Sequence, residues 1–283
     1  MPKIATIGFF DGVHKGHRYL FEQLDKLGVA RGLSPLIVTF EEHPRALLQS
    51  DYVPCLLTTK EERKALLSAY GEVLMFPFEQ IYSQTARQFM KLLHDTYDVS
   101  VLLMGYDHRF GSDRLHRFQD YRQAGEQVGI EVMQIKEFSE GEWHISSTEI
   151  RAALEHGNIA LANDLLGRPY TLKGTVVHGK GIGRTIGFPT ANIQPVDPHS
   201  VIPHAGVYAV EVHAYAFTWT AAMLNIDTNG TIEVHIPSFQ GNLYDQTLEI
   251  RFKRFIREER QFASLDELQQ QIRADVDNSL HRG

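Results

Sequence analysis

His14 and His17 lie three residues apart in the segment GFFDGVHKGH, directly after a short apolar run. Two imidazole rings at this spacing can turn toward one phosphate chain and stabilise the negative charge that develops during group transfer. Gly12 and Gly16 let the backbone approach a ligand closely because they carry no Cβ. A turn with two solvated histidines is the structural alternative. The glycines and Asp11 favour the phosphate site.

The elements around this segment place it between a strand and a helix. Residues 4–10 form an apolar run long enough for one buried strand, and Leu20, Leu24 and Leu27 recur at helical spacing after Gly16. The start of a helix presents N–H groups without helical partners and the positive end of the helix dipole, and both attract a phosphate. We therefore expect this turn to bind phosphate.

The rest of the first half alternates strands and helices. The pattern predicts strands over 34–40, 72–78 and 100–105, and helices near 58–70 and 85–94. Such alternation is typical of a parallel sheet covered by helices on both faces, which binds ligands beyond the carboxyl ends of its strands. The segments GFFDGVHKGH, TFEEHPR and GYDHRFG all follow predicted strands. Their common position predicts a site at this edge, although GYDHRFG alone also fits a solvated loop.

The segment ISSTEIR opens another predicted helix. Ser146 followed by Glu149 forms a capping box, worth about 1 kcal/mol to any helix, so a purely structural role stays open. The same helix start carries Ser147, Thr148 and Arg151, which suit a bound phosphate. The two roles are compatible.

Composition limits the class of protein. The chain has 283 residues, 43% of them hydrophobic and 22% charged, as expected for a globular protein with room for two domains. The single cysteine, Cys55, excludes an intramolecular disulfide and a Cys-rich metal site. A signal peptide and a membrane-length apolar stretch are both missing, so we expect a cytoplasmic protein without a membrane partner. The net charge of −7 argues against a broad nucleic-acid surface.

The second half changes character near residues 165–170. The strand-like runs GTVVHG, GVYAVEVHAYAF, WTAAMLNI, TIEVHI and QTLEIRF follow one another with only turn residues between most of them, which predicts an antiparallel barrel. Apolar residues at helical spacing over 264–280 predict a final helix that packs on the barrel. We therefore expect two domains, residues 1–166 and 167–283.

The segment HGKGIGRTIGFPTANI is a second candidate phosphate site. Its four glycines permit close backbone approach to phosphate, and Lys180 and Arg184 add positive charge. Thr190 and Asn192 supply oxygen atoms of the kind that Mg²⁺ prefers. A glycine-rich turn of the barrel is the structural alternative.

These motifs carry a resemblance to a known family. GFFDGVHKGH resembles the HxGH signature of nucleotidyltransferases in the variant used by FAD synthetases, and the glycine-rich segment resembles the riboflavin kinase signature. The order of the two modules, over nearly the whole chain, resembles the bifunctional riboflavin kinase/FAD synthetase family of bacteria. The resemblance implies a Rossmann-like nucleotidyltransferase domain, with a parallel sheet and helices on both faces, followed by a small antiparallel β-barrel with a C-terminal helix. It also implies two reactions, ATP-dependent phosphorylation of riboflavin to FMN and adenylylation of FMN to FAD plus pyrophosphate.

The resemblance further implies site residues, with Mg²⁺ as cofactor, ATP, riboflavin and FMN as small-molecule substrates, and no nucleic-acid partner. The oligomeric state stays open. The predicted catalytic residues are His14, His17 and Arg151 for adenylyl transfer and Glu233, in IEVHI, as the base toward the riboflavin 5′-hydroxyl. The predicted phosphate-binding residues of the first domain are Gly8, Phe9, Asp11, Gly16, Ser146, Ser147 and Thr148. The predicted flavin and nucleotide loops contain His43, Pro44, Gly105, Asp107, Arg109, Phe110 and Gly111. The predicted ATP site of the kinase contains Gly179, Lys180, Gly181, Gly183, Arg184, Gly187, Pro189, Thr190 and Asn192, with Thr190 and Asn192 as metal ligands.

Two departures from the family pattern concern the kinase half. The family has N-I-G-x-x-P-T-F and a flexible loop before the catalytic strand, whereas this chain reads NIDTNGTIEVHI, with Asp227 in place of the glycine and a shorter loop. Asp245 replaces the glycine of the family's LYG. Either added carboxylate could repel phosphate. Two alternatives therefore stay open: an FAD synthetase whose second domain only binds flavin, and a sensor of flavin or nucleotide without turnover.

Overall fold

The computed structural model describes residues 1–49, 51–106, 108–113, 115–136, 139–140, 143–179 and 181–281. The chain forms two compact units, Met1–Ser146 and Ser147–Gly283. None of the helices in the described part of the chain is long and apolar enough to cross a membrane.

The first unit is built on a parallel five-stranded sheet with the strand order β3-β2-β1-β4-β5. Its elements are β1 (Lys3–Ile7), α1 (Lys15–Arg31), β2 (Ser34–Phe40), α2 (Pro44–Leu48), α3 (Lys60–Leu67), β3 (Glu72–Phe76), α4 (Ala86–Tyr97), β4 (Val99–Met104), α5 (Phe118–Glu126) and β5 (Glu131–Gln134), followed by the short antiparallel pair β6 (Ser139–Glu140) and β7 (Trp143–His144). The predicted parallel sheet is confirmed. Elements α2, α5, β5, β6 and β7 were not predicted, because they are short or lack a clear periodicity.

Both faces of this sheet are covered, because successive residues of β1 point to opposite sides. Ala5 and Ile7 belong to one apolar cluster, which includes Phe89 of α4. Ile4 belongs to the other, which includes Phe21 of α1. The alternation along β1 therefore fixes which helix lies on which face.

The second unit is a closed barrel with the strand order β10-β11-β12-β9-β8-β13, in which neighbouring strands pair antiparallel. Its elements are α6 (Ser147–Glu155), α7 (Ile159–Leu166), β8 (Thr171–Val177), α8 (Ile182–Thr185), β9 (Ala191–Pro195), β10 (Gly206–Ala214), β11 (Phe217–Ile226), β12 (Ile232–His235), β13 (Thr247–Arg257) and α9 (Leu265–His281). The predicted barrel and its final helix are confirmed. Strand β9 was not predicted, because its residues belong to the segment that was interpreted as a phosphate-binding turn.

The helices that flank the barrel are fastened to β13. Asn163 of α7 donates from Nδ2 to the carbonyl of Phe252 at 2.8 Å. On the other side, Arg257 donates to both carboxylate oxygens of Asp275 in α9, with Nη2 2.6 Å from Oδ2, and Asp275 is only 1% exposed. Both contacts lie within the second unit. The domain boundary at residues 166 and 167 stays a prediction.

Candidate active sites

The two histidines of GFFDGVHKGH lie at the start of α1. His14 is the N-cap residue, and its Nδ1 accepts a hydrogen bond from the backbone N–H of His17 at 3.4 Å. The two rings stack with centroids 3.6 Å apart. Because Nδ1 of His14 acts as an acceptor, the proton of the neutral ring lies on Nε2, where it can be donated to an oxyanion. The pair is thus held in one orientation at the positive end of a helix.

Gly16 makes this arrangement possible. A Cβ at this position would lie 3.2 Å from the His14 ring and 3.3 Å from the carbonyl oxygen of Ile145. Phe10 packs its ring edge-on against His17, with centroids 5.2 Å apart. The glycine and the aromatic ring together leave the two imidazoles little room to change orientation.

Asp11, predicted to lie among the phosphate-binding residues, has its carboxylate turned toward the segment before α3. The carboxylate accepts hydrogen bonds from the backbone N–H groups of Leu57 and Thr58 and from the hydroxyl of Thr58, at 3.0 to 3.1 Å. The same hydroxyl accepts from the backbone N–H of Gly12 at 3.2 Å. The loop that precedes His14 is therefore tied to Thr58, which the sequence did not suggest as a site residue.

A cavity of about 960 Å³ lies beyond the carboxyl ends of the strands in the first unit. It brings together TFEEHPR and GYDHRFG, which follow β2 and β4, the two strands that flank β1. Its aromatic lining consists of Phe9, Phe40, Phe78, Tyr82, Phe89 and Phe110, and its basic lining consists of His43, Arg45, His108, Arg109 and His116. None of the described residues that line it is an aspartate or a glutamate. In a chain of net charge −7, such a lining favours an aromatic ligand that carries negative charge.

The loop with Phe110 and Gly111 is fixed on two sides. Tyr121 of α5 is buried, and its hydroxyl donates to the carbonyl of Phe110 at 2.9 Å and accepts from the N–H of the same residue at 3.0 Å. Burial raises the pKa of Tyr121, so this hydroxyl keeps its proton. Ser112 donates from its backbone N–H to the carbonyl of Gln84 at 2.8 Å. This part of the cavity wall is therefore held by hydrogen bonds within the protein.

Sequence reasoning missed one wall of the cavity. Residues 81–84, together with Phe78, line it from the segment that follows β3. The rule that placed sites after the other strands also applies to this one, since β3 ends at Phe76. The segment FPFEQIY was not recognised as part of a site because its composition is largely apolar.

Arg63 of α3 contacts residues that line the cavity. The side chain is 1% exposed and donates from Nη2 to the carbonyls of Phe40 and Glu41, at 2.6 and 3.1 Å. Its guanidinium lies 3.9 Å from the centroid of the Phe9 ring. A buried cation at the end of β2 thus holds one aromatic wall and adds positive potential near the cavity.

Most of the other residues predicted to line the sites of the first domain lie at the ends of strands and at the starts of helices. Gly8 donates from its N–H to the carbonyl of Val38 at 3.0 Å, and His43 caps α2 just before Pro44. Gly105 follows the end of β4. Helix α6 begins at Ser147, so Ser146 takes the N-cap position and Thr148 and Arg151 lie on the helix. Asp107 and Lys180 lie outside the described residues, as does the side chain of Arg184.

The kinase motif forms a polar row across three barrel strands. Glu233 of β12 pairs with Asn192 of β9 on one side and with Asn225 of β11 on the other. Directly paired residues share a face of the sheet. The alternate residues Leu224 and Val234 are buried, so the row lies on the outer face of the barrel. Asn225 was not among the predicted site residues.

The glycine-rich turn covers this row. Thr190 donates from its hydroxyl to Oε2 of Glu233 at 3.5 Å, and Nδ1 of His235 donates to the carbonyl of Pro189 at 2.8 Å. A Cβ at Gly183 would lie 2.3 Å from the carbonyl oxygen of Phe188, so only glycine permits this turn. Gln269 of α9 donates to the carbonyl of Ile186 at 3.3 Å. The turn is therefore held by β12 and by the final helix, and the sequence motif alone indicated neither contact.

The other glycines of this turn are Gly179, Gly181 and Gly187. Gly179 passes directly beneath the carboxamide of Asn192, since a Cβ there would lie 2.1 Å from Nδ2. The predicted metal-binding residues, Thr190 and Asn192, thus both lie beside Glu233.

The two departures from the family pattern lie in turns. Oδ1 of Asp227 accepts from the backbone N–H groups of Asn229 and Thr231, both at 2.8 Å, and closes a tight turn between β11 and β12. Slight burial would raise the pKa of this carboxyl, but the hydrogen bonds from Thr231 and Asn229 outweigh it and lower the pKa. Asp245 has a φ of 63° and donates from its N–H to the carbonyl of Val176. The Asp227 carboxylate thus stabilises the turn in which it lies.

Two family models match the sequence. A model described as FAD synthetase matches residues 1–149, and one described as riboflavin kinase matches residues 166–282. Among curated relatives, the bifunctional riboflavin kinase/FMN adenylyltransferase of Escherichia coli strain K12 is 40% identical over 96% of this chain and 90% of its own. The protein of the same name from Pseudomonas fluorescens is 35% identical over 96% of this chain and 90% of its own.

A solved structure also matches the whole chain. A protein from Streptococcus pneumoniae, described as a macrolide-efflux protein, superposes with a TM-score of 0.89 and is 31% identical. The match covers 100% of this chain and 95% of that one. Both units of the present chain therefore occur together in a single known structure.

Proposed function

The chain belongs to the family of bifunctional riboflavin kinases/FMN adenylyltransferases, and we propose that its first unit transfers adenylyl groups at His14 and His17, while its second unit phosphorylates riboflavin at Glu233. As a member of this family, the chain makes FMN from riboflavin and ATP, and then FAD and pyrophosphate from FMN and a second ATP. The observation that carries the FMN site of the first unit is the cavity whose lining is aromatic and basic, without a described carboxylate. The roles proposed for His14 and His17 rest on their position at the start of α1, and the role of Glu233 rests on its position beside Thr190 and Asn192.

In adenylyl transfer, a phosphate oxygen of FMN attacks the α-phosphorus of ATP. The bond from this phosphorus to the oxygen that bridges it to the β-phosphorus breaks, and pyrophosphate leaves. Nε2–H of His14 and the ring of His17, at the positive end of α1, donate to the oxygens on which negative charge accumulates. The reaction needs no covalent intermediate with the protein.

The cavity would hold FMN for this attack. The aromatic side chains provide faces and edges against which a flavin ring can stack. Arg45 and Arg109 can donate to the phosphate as paired hydrogen-bond donors. The proposed phosphate contacts of Ser146, Ser147, Thr148 and Arg151 rest on the family resemblance of their segment.

In the kinase reaction, the 5′-hydroxyl oxygen of riboflavin attacks the γ-phosphorus of ATP, and ADP leaves. The carboxylate of Glu233 accepts the proton that the hydroxyl loses. Its hydrogen bond from Thr190 and its pairing with Asn192 keep the carboxylate in place beneath the glycine-rich turn.

The residues beside Glu233 also fit a magnesium ion. The hydroxyl of Thr190 and the carboxamide oxygen of Asn192 are hard donors, and neither needs to lose a proton to bind the ion. We propose that these two side chains hold Mg²⁺ with the ATP phosphates. When bound, the ion would neutralise phosphate charge. A cytoplasmic location, small-molecule substrates without nucleic-acid or membrane partners, and domain limits of 1–166 and 167–283 complete the proposal.

The two sites can be tested separately, because one polypeptide carries both activities. Incubated with riboflavin and Mg·ATP, the His17→Ala variant should accumulate FMN and make no FAD, as followed by chromatography of flavins. The Glu233→Gln variant should make no FMN from riboflavin, yet convert added FMN to FAD at the wild-type rate. Unchanged FAD synthesis by His17→Ala, or unchanged FMN synthesis by Glu233→Gln, would overturn the corresponding residue role.

A further inference from the structure

Thr58 lies just before α3, 44 residues beyond His14 in the sequence, and its hydroxyl holds the loop that leads to that histidine. We propose that Thr58 is a positioning residue for adenylyl transfer, which sets the orientation of His14 through Asp11 and Gly12. The inference rests on the proposed catalytic role of His14.

The hydroxyl of Thr58 both donates and accepts a hydrogen bond. It donates to Oδ1 of Asp11 at 3.1 Å and accepts from the backbone N–H of Gly12 at 3.2 Å. Thr58 and Asp11 are 5% and 4% exposed, so water does not compete readily for these bonds. A hydroxyl can do this because its single oxygen atom both donates and accepts. One side chain therefore fixes two consecutive residues of the loop.

The loop needs such support because its backbone is strained. Phe10 and Val13 have φ angles of 57° and 43°, in the left-handed region that residues with a Cβ rarely adopt. A β-branched residue such as Val13 is especially unfavourable there. Such a conformation persists only where the surroundings enforce it, and strained residues of this kind cluster at functional sites. Asp11 and Gly12, the residues tied to Thr58, lie between the two strained ones.

The strained residues lead directly into the proposed catalytic pair. Val13 immediately precedes His14, which caps α1 and stacks on His17 with ring centroids 3.6 Å apart. Rotation of the backbone at Val13 would tilt the His14 ring and move its Nε2 away from the reacting phosphate. Misplacement of a reacting group by about 1 Å can cost about 100-fold in rate. Loss of the Thr58 hydroxyl should thus affect turnover more than substrate binding.

The Thr58→Val variant tests this proposal, since it keeps the shape of the side chain and removes the hydroxyl. The backbone N–H groups of Leu57 and Thr58 would still hold Asp11. We expect kcat for FAD formation from FMN to fall about 100-fold, with KM for FMN and ATP changed by less than about threefold. Thr58→Ser keeps the hydroxyl and should restore most of kcat. FMN formation from riboflavin should be unchanged in both variants.

Thr59→Val is the matched control. Thr59 is the next residue and is also buried, and its hydroxyl caps α3 by accepting from the N–H of Glu62 at 3.2 Å. The substitution removes a structural hydroxyl without touching Asp11 or Gly12, so kcat should stay near the wild-type value even where the melting temperature falls. If Thr58→Val does not fold, Thr58→Ala, which also removes the hydroxyl and adds no methyl group against Asp11 or Gly12, should give the same loss of kcat at unchanged KM.

Three results would contradict the proposal: wild-type kcat in Thr58→Val, failure of Thr58→Ser to restore turnover, or an equal loss of kcat in Thr59→Val. FAD synthesis that survives in His17→Ala would instead contradict the proposed site itself. The two failures are therefore distinguishable.

Discussion

At the scale of single residues, His14 combines two roles that are usually separate. Its Nδ1 caps the first turn of α1 by accepting from His17, and the same bond leaves the ring proton on Nε2. A capping histidine is thus also a pre-oriented donor. The cap explains why the ring holds one position, and the stacked His17 explains why it does not swing out.

The two roles can be separated by His14→Asn. Asparagine is a favourable N-cap residue, so α1 should start normally, whereas the ring donor is lost. We expect kcat for FAD formation to fall about 100- to 1,000-fold, the range seen when one transition-state donor is removed. Steady-state kinetics and the thermal melt by circular dichroism measure the two effects. A small drop in kcat with a large drop in melting temperature would mean that His14 is mainly a cap.

At the scale of elements, the turn between β11 and β12 shows how a departure from a family pattern acquires a structural role. Asp227 accepts two backbone hydrogen bonds from its own turn, as aspartate does in Asx turns. Thr228 then donates from its N–H to Oε2 of Glu259 at 3.1 Å. The shortened loop is thus a closed, well-bonded hairpin that leads into the strand with Glu233.

This turn predicts a pH dependence. Because the folded pKa of Asp227 lies below its unfolded value, its stabilisation is complete above about pH 4 and is lost as the pH falls through the lower folded pKa. The melting temperature of the wild type should exceed that of Asp227→Asn at pH 7. The difference should shrink when both are measured near pH 3. A difference that grows toward low pH would contradict this role for the carboxylate.

At the scale of the whole molecule, each activity lies in a unit with its own core. The core of the first unit consists of the two apolar clusters around β1. The barrel has its own buried side chains, among them Tyr208 and Phe252. In the second unit, the ion pair of Arg257 with Asp275 fastens α9, whose Gln269 bonds the glycine-rich turn. The proposed kinase site thus depends on α9.

Asp275→Asn should therefore damage one activity selectively. Removing one charge of a largely buried pair leaves Arg257 without its carboxylate and costs about 3 kcal/mol. We expect FMN formation to be lost at a lower temperature than in the wild type, while FAD formation from added FMN survives heating as before. Inactivation curves of both activities in one preparation measure this. Parallel loss of both activities would contradict independent cores.

Much of the fold followed from the sequence because its signals are local. Apolar residues at strand and helix periods predicted the parallel sheet, the barrel and the last helix, and the placement of GFFDGVHKGH after β1 predicted the cluster of polar segments at one edge. The short strands β5 and β9 were not predicted, since four or five residues are too few to show a clear periodicity. The roles of individual site residues stay predictions that the variants above test.

The sequence by itself determined which segments are candidates for a ligand site: the His14 and His17 pair, the loop around Phe110 and the glycine-rich turn, whose residue types and spacing are readable within a few positions. Only the tertiary structure decided what holds them. The bond between Thr58 and Gly12 joins residues 46 apart, and the polar row at Glu233 joins three strands. Such partners depend on strand order, register and packing. The periodicity of a sequence shows which face a side chain occupies, but it does not show which residue that side chain contacts.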